Sequence, residues 1–217
     1  IEGVAKGVRT IVGCATRTIP NKGLHFPNGA RSAPCIAFTT PSGGRGEGNF
    51  SWKRSMPDLS DLSQQLANAL LLKQKQLAVA ESCTGGWLAK CLTDIAGSSR
   101  WFDRGFVTYS NAAKQEMLGV QPATLEREGA VSEAVVCEMA AGALQHSTAD
   151  ISIAISGIAG PGGGVPGKPV GTVCFGLATK EKPYQSDTQY FEGDREAVRR
   201  QSVAYALSRL THVLEHG

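Results

Sequence analysis

Residues Ala80-Glu81-Ser82-Cys83-Thr84-Gly85-Gly86 constrain this chain most, because an apolar run enters them and a helical pattern leaves them. Leu77-Ala78-Val79-Ala80 has the length of a buried strand, and Trp87, Leu88, Cys91, Leu92 and Ile95 then recur at helical spacing. A strand that turns sharply into a helix exposes a hydroxyl at its carboxyl end. Beside it lie free backbone N–H groups able to bind a phosphate or a developing oxyanion. Gly85 and Gly86 would let a substrate approach the backbone closely. Ser82 is thus well placed for a nucleophile. The plainer alternative is that Ser82 and Thr84 cap the helix while the glycines make the turn.

Around this turn, strand and helix patterns alternate. Leu59, Leu62, Leu66, Leu70 and Leu71 predict a leading amphipathic helix over about 58–75. Strands are predicted at Phe102–Tyr109, Ile151–Ile155, Val170–Ala178 and Tyr184–Phe191, the last two as an antiparallel hairpin. Ile151–Ile155 is almost wholly apolar, which places it centrally with both faces covered. Helices are predicted at Ala112–Leu118, from Ser132 to about Gln145, and at Asp194–Leu214; Pro122 should open a turn, and 157–169 a Gly/Pro-rich loop. The expected fold is a three-layer α/β/α sandwich with a mixed, mostly parallel sheet and a C-terminal antiparallel hairpin.

The charge is unevenly divided. Residues 1–55 hold eight Lys or Arg against Glu2 and Glu47, so they carry +6 of a chain whose net charge is +3. Their Gly/Pro/Ser content and lack of periodicity predict a disordered or adventitious arm outside the fold, with the folded domain at 56–217. Such an arm could bind nucleic acid electrostatically, although a leader without function is favoured. No run of 18 apolar residues and no secretory signal are visible, and six dispersed cysteines fit reduced thiols, so a cytoplasmic protein is expected.

Several motif matches fail on context. Gly162–Gly167 fits a dinucleotide glycine pattern and Gly162–Lys168 most of a Walker A loop, but Pro169 stands where a Ser or Thr is needed and a strand follows. His212-Val213-Leu214-Glu215-His216 matches an inverted zinc-peptidase pattern, yet only Gly217 follows it; these residues should fray from the closing helix. No Gly-x-Ser-x-Gly elbow occurs, so a nucleophilic Ser82 needs its base from elsewhere. The end of the second strand offers Tyr109, Asn111 and Lys114. Lysine serves as a base only when desolvation or a cationic neighbour keeps it neutral.

The 80–86 segment, Thr108-Tyr109-Ser110-Asn111 with Lys114, Gly129-Ala130-Val131-Ser132 and Ser156-Gly157-Ile158-Ala159-Gly160-Pro161-Gly162-Gly163 together resemble the C-terminal domain of the competence/damage-inducible protein CinA. The likeness covers about 56–217. It implies a nicotinamide-nucleotide amidase that hydrolyses nicotinamide mononucleotide (NMN) to nicotinic acid mononucleotide and ammonia by a Ser/Lys mechanism, with no metal or other cofactor. Carried over by motif, Ser82 is the nucleophile, Lys114 the general base, and Tyr109 an aid to proton transfer or substrate holding. Thr84, Gly85, Gly86, Asn111, Ser156, Gly157, Gly160 and Gly162 would line the nucleotide site. Arg195 or Arg199, four apart on one helix face, could meet the phosphate. A homo-oligomer, first of all a dimer, is expected, with a small-molecule substrate and neither membrane nor nucleic acid as partner. The rival reading is a nucleotide-binding or regulatory domain without chemistry.

Overall fold

The structure, a computed structural model, describes residues 36–37, 58–181 and 184–216. In chain order the elements are β1 (Ile36–Ala37), α1 (Leu59–Lys73), β2 (Leu77–Glu81), α2 (Trp87–Thr93), a 3-10 turn (Ser98–Arg100), β3 (Phe102–Val107), α3 (Asn111–Leu118), α4 (Pro122–Glu128), α5 (Glu133–Gln145), β4 (Ile151–Gly157), β5 (Thr172–Thr179), β6 (Gln185–Tyr190) and α6 (Arg195–His216). Local chemistry accounts for several boundaries. Asp58 caps α1 by accepting from the Ser60 N–H, Ser110 caps α3 through Ala113, and Ser132 caps α5 through Val135.

The strands form one sheet in the order β1-β6-β5-β4-β2-β3. The β3/β2, β2/β4 and β1/β6 pairs are parallel, while β4/β5 and β5/β6 are antiparallel, so the terminal hairpin is present. Strand alternation sorts the two faces by size. Leu77, Val79, Ile153, Ile155 and Phe175 join one core with Leu66 and Leu70 of α1, Leu88 of α2 and Leu207 of α6. Ala80, Ala154, Cys174 and Ala178 join the other, with Val136, Met139 and Ala140 of α5. Small residues on that face let α5 lie almost backbone-to-backbone on the sheet. Ser152 Oγ donates to the Ala140 carbonyl at 2.6 Å, and a Cβ added at Gly176 would lie 2.2 Å from the Val136 oxygen.

The three layers match the expectation, and five details differ from it. Pro122 opens the helix α4, where its missing N–H costs no bond and its φ suits the first position. β3 stops at Val107, so Thr108-Tyr109-Ser110 turn the chain into α3. The closing helix runs through His216, with the His212 and His216 rings stacked 4.5 Å apart in place of a frayed end. Ile36–Ala37 pairs with Gln185–Ser186, so the arm is not wholly outside the fold; the rest of 1–55 lies outside the described residues. Cys83, Cys91 and Cys174 are free thiols while Cys137 is disulfide-bonded, which departs from six reduced cysteines. No helix among the described residues is long and apolar enough to cross a membrane.

The topology creates one distinctive edge. After β2 the chain leaves to α2 on one face, whereas after β3 it leaves through α3 and α4 to α5 on the other. Connections that diverge from neighbouring parallel strands open a crevice at their carboxyl ends, where open α/β sheets bind ligands.

Candidate active site

Ser82 stands at the mouth of that crevice. Its N–H donates to the Ile155 carbonyl at 2.9 Å, and the Thr108 N–H donates to the Glu81 carbonyl at 2.8 Å. The parallel ladder thus continues one step beyond β2 before the chain turns. Two tight bonds, Gly85 N–H to Ser82 O and Trp87 N–H to Thr84 O, shape the turn. Gly85 and Gly86 have φ of +61° and +93°, a conformation that strains any residue with a Cβ. Their role is this backbone shape.

Neither Ser82 nor Thr84 caps α2, and its N-terminus is not free. The fully buried carboxylate of Glu81 accepts from the N–H groups of Gly86 at 3.0 Å, Leu88 at 3.1 Å and Ala89 at 2.8 Å. This corrects the expectation of open N–H groups there. In the turn itself, the N–H groups of Cys83 and Thr84 take no partner among the described hydrogen bonds. Thr84 is fully buried and its hydroxyl lacks a partner, so it does not line an open surface. The Cys83 thiol is buried, which pushes its pKa up to about 12 and leaves it unreactive beside the serine.

Lys114 is the fourth residue of α3, and its side chain runs back to the sheet edge. Nζ lies 3.1 Å from Ser82 Oγ and donates to the Thr108 carbonyl at 2.9 Å. The side chain is only 1% exposed and pairs with no carboxylate among the described residues. Burial without a counter-charge pushes its pKa below the ordinary lysine value of 10.5. This has a measurable sign. Between the lowered folded value and 10.5 the unfolded chain binds the extra proton, so stability contributed at this site rises with pH through that window. Lys114→Met lacks the term. Its melting temperature relative to the parent is expected to improve as pH falls from 10 to 7, and a difference independent of pH would contradict a buried, desolvated amine.

The other expected residues divide between the rim and the framework. Tyr109 is 60% exposed, and its hydroxyl accepts from Arg195 Nη2 at 2.8 Å; Arg195 Nη1 donates to the Gly160 carbonyl at 2.8 Å. Arg195 therefore joins the loops that follow β3 and β4. Asn111, the first residue of α3, and Gly162 are exposed. Ser156 is 1% exposed and donates to the Ala130 carbonyl at 2.7 Å, fastening β4 to the segment before α5. A Cβ on Gly157 would meet Val173 at 2.7 Å, so that glycine serves the contact with β5. Arg199 donates from Nε to the Cys83 carbonyl at 3.0 Å and from Nη2 to the Thr84 carbonyl at 2.8 Å, with its guanidinium over Trp87. Among the described residues no cluster of three or more His, Cys, Asp or Glu could hold a metal.

With this geometry in hand, residues 59–214 match the family described as CinA C-terminal domain. The chain belongs to that family. It is 57% identical over 153 residues to the nicotinamide-nucleotide amidohydrolase PncC of Escherichia coli K12, covering 70% of this chain and 93% of that protein. The protein of the same name from Enterobacter agglomerans is 58% identical over 149 residues, covering 69% and 91%. A CinA-superfamily crystal structure from Klebsiella pneumoniae superposes with a TM-score of 0.72 at 42% identity, covering 74% of this chain and all of that one. The CinA-family fold thus carries the Ser82–Lys114 pair at the carboxyl edge of its parallel strands. Two features of the site went unseen in the sequence: Glu81 as the cap of α2, and the Thr108 carbonyl as a holder of Lys114. A carboxylate directly before a turn whose own N-cap is glycine was the available signal for the first.

Proposed function

We propose that this chain is a nicotinamide-nucleotide amidohydrolase, converting NMN and water to nicotinic acid mononucleotide and ammonia by a metal-independent Ser/Lys mechanism. The observation that carries the reading is the approach of Lys114 Nζ to Ser82 Oγ, 3.1 Å apart at a ligand-binding edge. The identity to enzymes of that name supports the substrate. Neutral Lys114 gives one N–H to the Thr108 carbonyl, which aims its lone pair at the serine hydroxyl. Ser82 Oγ attacks the carboxamide carbon as Lys114 takes its proton, and backbone N–H groups of the nucleophile turn receive the developing oxyanion. Lys114 returns the proton to the departing nitrogen, ammonia leaves, and water then hydrolyses the acyl-serine with the same lysine as base. Tyr109 and Arg195, joined at the rim with Asn111 and the 157–162 loop, hold the ribose phosphate.

Purified protein supplied with NMN is expected to release ammonia in equal amount to nicotinic acid mononucleotide. NMN that binds without turnover would instead favour a regulatory domain. A chelator is expected to leave the rate unchanged, since Ser/Lys chemistry needs no Lewis acid; inactivation reversed by one divalent metal would contradict this.

We further propose that 56–217 is a self-sufficient unit acting in the cytoplasm. Truncation to that range removes a two-residue pairing with β6 and breaks the disulfide of Cys137, since the other cysteines it retains are free thiols; it is nevertheless expected to preserve cooperative unfolding and turnover. Association into a dimer is also proposed: β3 is an edge strand and exposes Val107, so it offers a pairing surface to a second copy. Light scattering reads the mass.

A further inference from the structure

We infer that Glu81 and Arg199 are positioning residues that hold the nucleophile turn from opposite sides, and that Arg199 is not a ligand of the substrate phosphate. This rests on the amidohydrolase reading. The turn 82–86 has little core of its own, because Ser82, Thr84 and two glycines supply almost no apolar surface. Glu81 fixes its far end, drawing Gly86, Leu88 and Ala89 onto one buried carboxylate. Arg199 fixes its middle, reaching from α6 to two successive carbonyls, Cys83 O and Thr84 O. Bonds from an ionised group to backbone are among the stronger ones, and stacking on Trp87, 5.3 Å to the ring centroid, limits the freedom of the guanidinium.

Orientation follows from peptide geometry. The Cys83 carbonyl and the Thr84 N–H belong to one trans peptide, so they point in opposite directions. Holding the carbonyl toward α6 turns the Thr84 N–H away from that helix, and a cation on the carbonyl polarises the peptide and strengthens the N–H as a donor. Arg199 thereby sets the aim of Ser82 without touching substrate. Its two described donors are committed to the turn, whereas Arg195 lies on the rim.

The test separates binding from chemistry. In a Ser82→Ala background, adding Arg199→Met is expected to leave the Kd for NMN within about threefold. In the active background, Arg199→Met is expected to lower kcat by about 100-fold, the usual penalty for a small misplacement of reacting groups. Arg199→Lys, which can reach one carbonyl only, should fall between; Glu81→Gln, whose amide group confronts backbone donors, should also lose kcat and keep its Kd. Circular dichroism establishes that each variant is folded. A Kd weakened tenfold or more, or a kcat within twofold of the parent, overturns the inference. Should the parent release no ammonia, the amidohydrolase reading fails by itself. The clamp is then read from labelling of Ser82 by a fluorophosphonate, expected to slow at least tenfold in Arg199→Met; an unchanged labelling rate would overturn it there too.

Discussion

Ser82→Ala is expected to lower NMN turnover by about 10⁴-fold or more, Lys114→Met by a comparable factor, and the double variant by little beyond either. The two side chains perform one step: the oxygen cannot attack without losing its proton, and the amine has no other role in that step. Groups acting as one unit give strongly non-additive losses. Binding should persist in Ser82→Ala, because the proposed contacts to the ribose phosphate come from Tyr109 and Arg195 at the rim. Lys114→Arg should fail as well. A guanidinium keeps its proton, and it would have to do so at a position only 1% exposed with no carboxylate paired to it among the described residues. Turnover and NMN affinity of the four proteins check this. Losses that multiply in the double variant would mean independent roles, and near-normal turnover in Lys114→Met would move the base elsewhere.

Gly176→Ala is expected to be among the most damaging conservative changes in the fold. The new methyl would lie 2.2 Å from the Val136 carbonyl oxygen and 2.4 Å from its carbon, both backbone atoms of α5 that no rotamer change can move. The helix must lift from the sheet, opening space above Ala80 and Ala154 and stretching the Ser152 bond to Ala140. Overpacking and the resulting gaps together cost about 3 kcal/mol, or a fall of about 10 °C in melting temperature for a domain of this size. Thermal unfolding reads it, and a variant melting within 2 °C of the parent would show that α5 adjusts freely.

What could be read from the sequence was whatever a local pattern encodes. The helix from Ser132 was visible because a capping residue precedes an apolar repeat, and β4 because Ile151–Ile155, apolar except for Ser152, fits a strand covered on both faces. The nucleophile turn was visible for the same reason, since strand, hydroxyls, paired glycines and helix are contiguous. Pro122 misled because one residue serves both a turn and the first position of a helix, and only tertiary packing of Leu125 decides between them. The small-residue face of the sheet had no local signature: Gly176 resembles a bulge until α5 lies on it. The site was legible as a set of residues and not as a set of bonds. Nothing near Lys114 in sequence shows that Ser82, 32 positions away, is its neighbour: the strand end offered Tyr109, Asn111 and Lys114 alike, and the family resemblance singled out the lysine. Arg199 resembled a phosphate ligand by spacing; its bonds to Cys83 and Thr84 depend on how α6 meets the turn.

That a desolvated Lys114 makes Ser82 a nucleophile can be measured without the natural substrate. A fluorophosphonate that labels activated serines would be followed as a function of pH, with the modified residue located by peptide mass mapping. Labelling is expected at Ser82 alone, with a rate that rises with pH along a single titration whose midpoint lies below the ordinary lysine value of 10.5, and that collapses in Lys114→Met. Labelling at another residue, or a Lys114→Met protein labelled as fast as the parent, would contradict it.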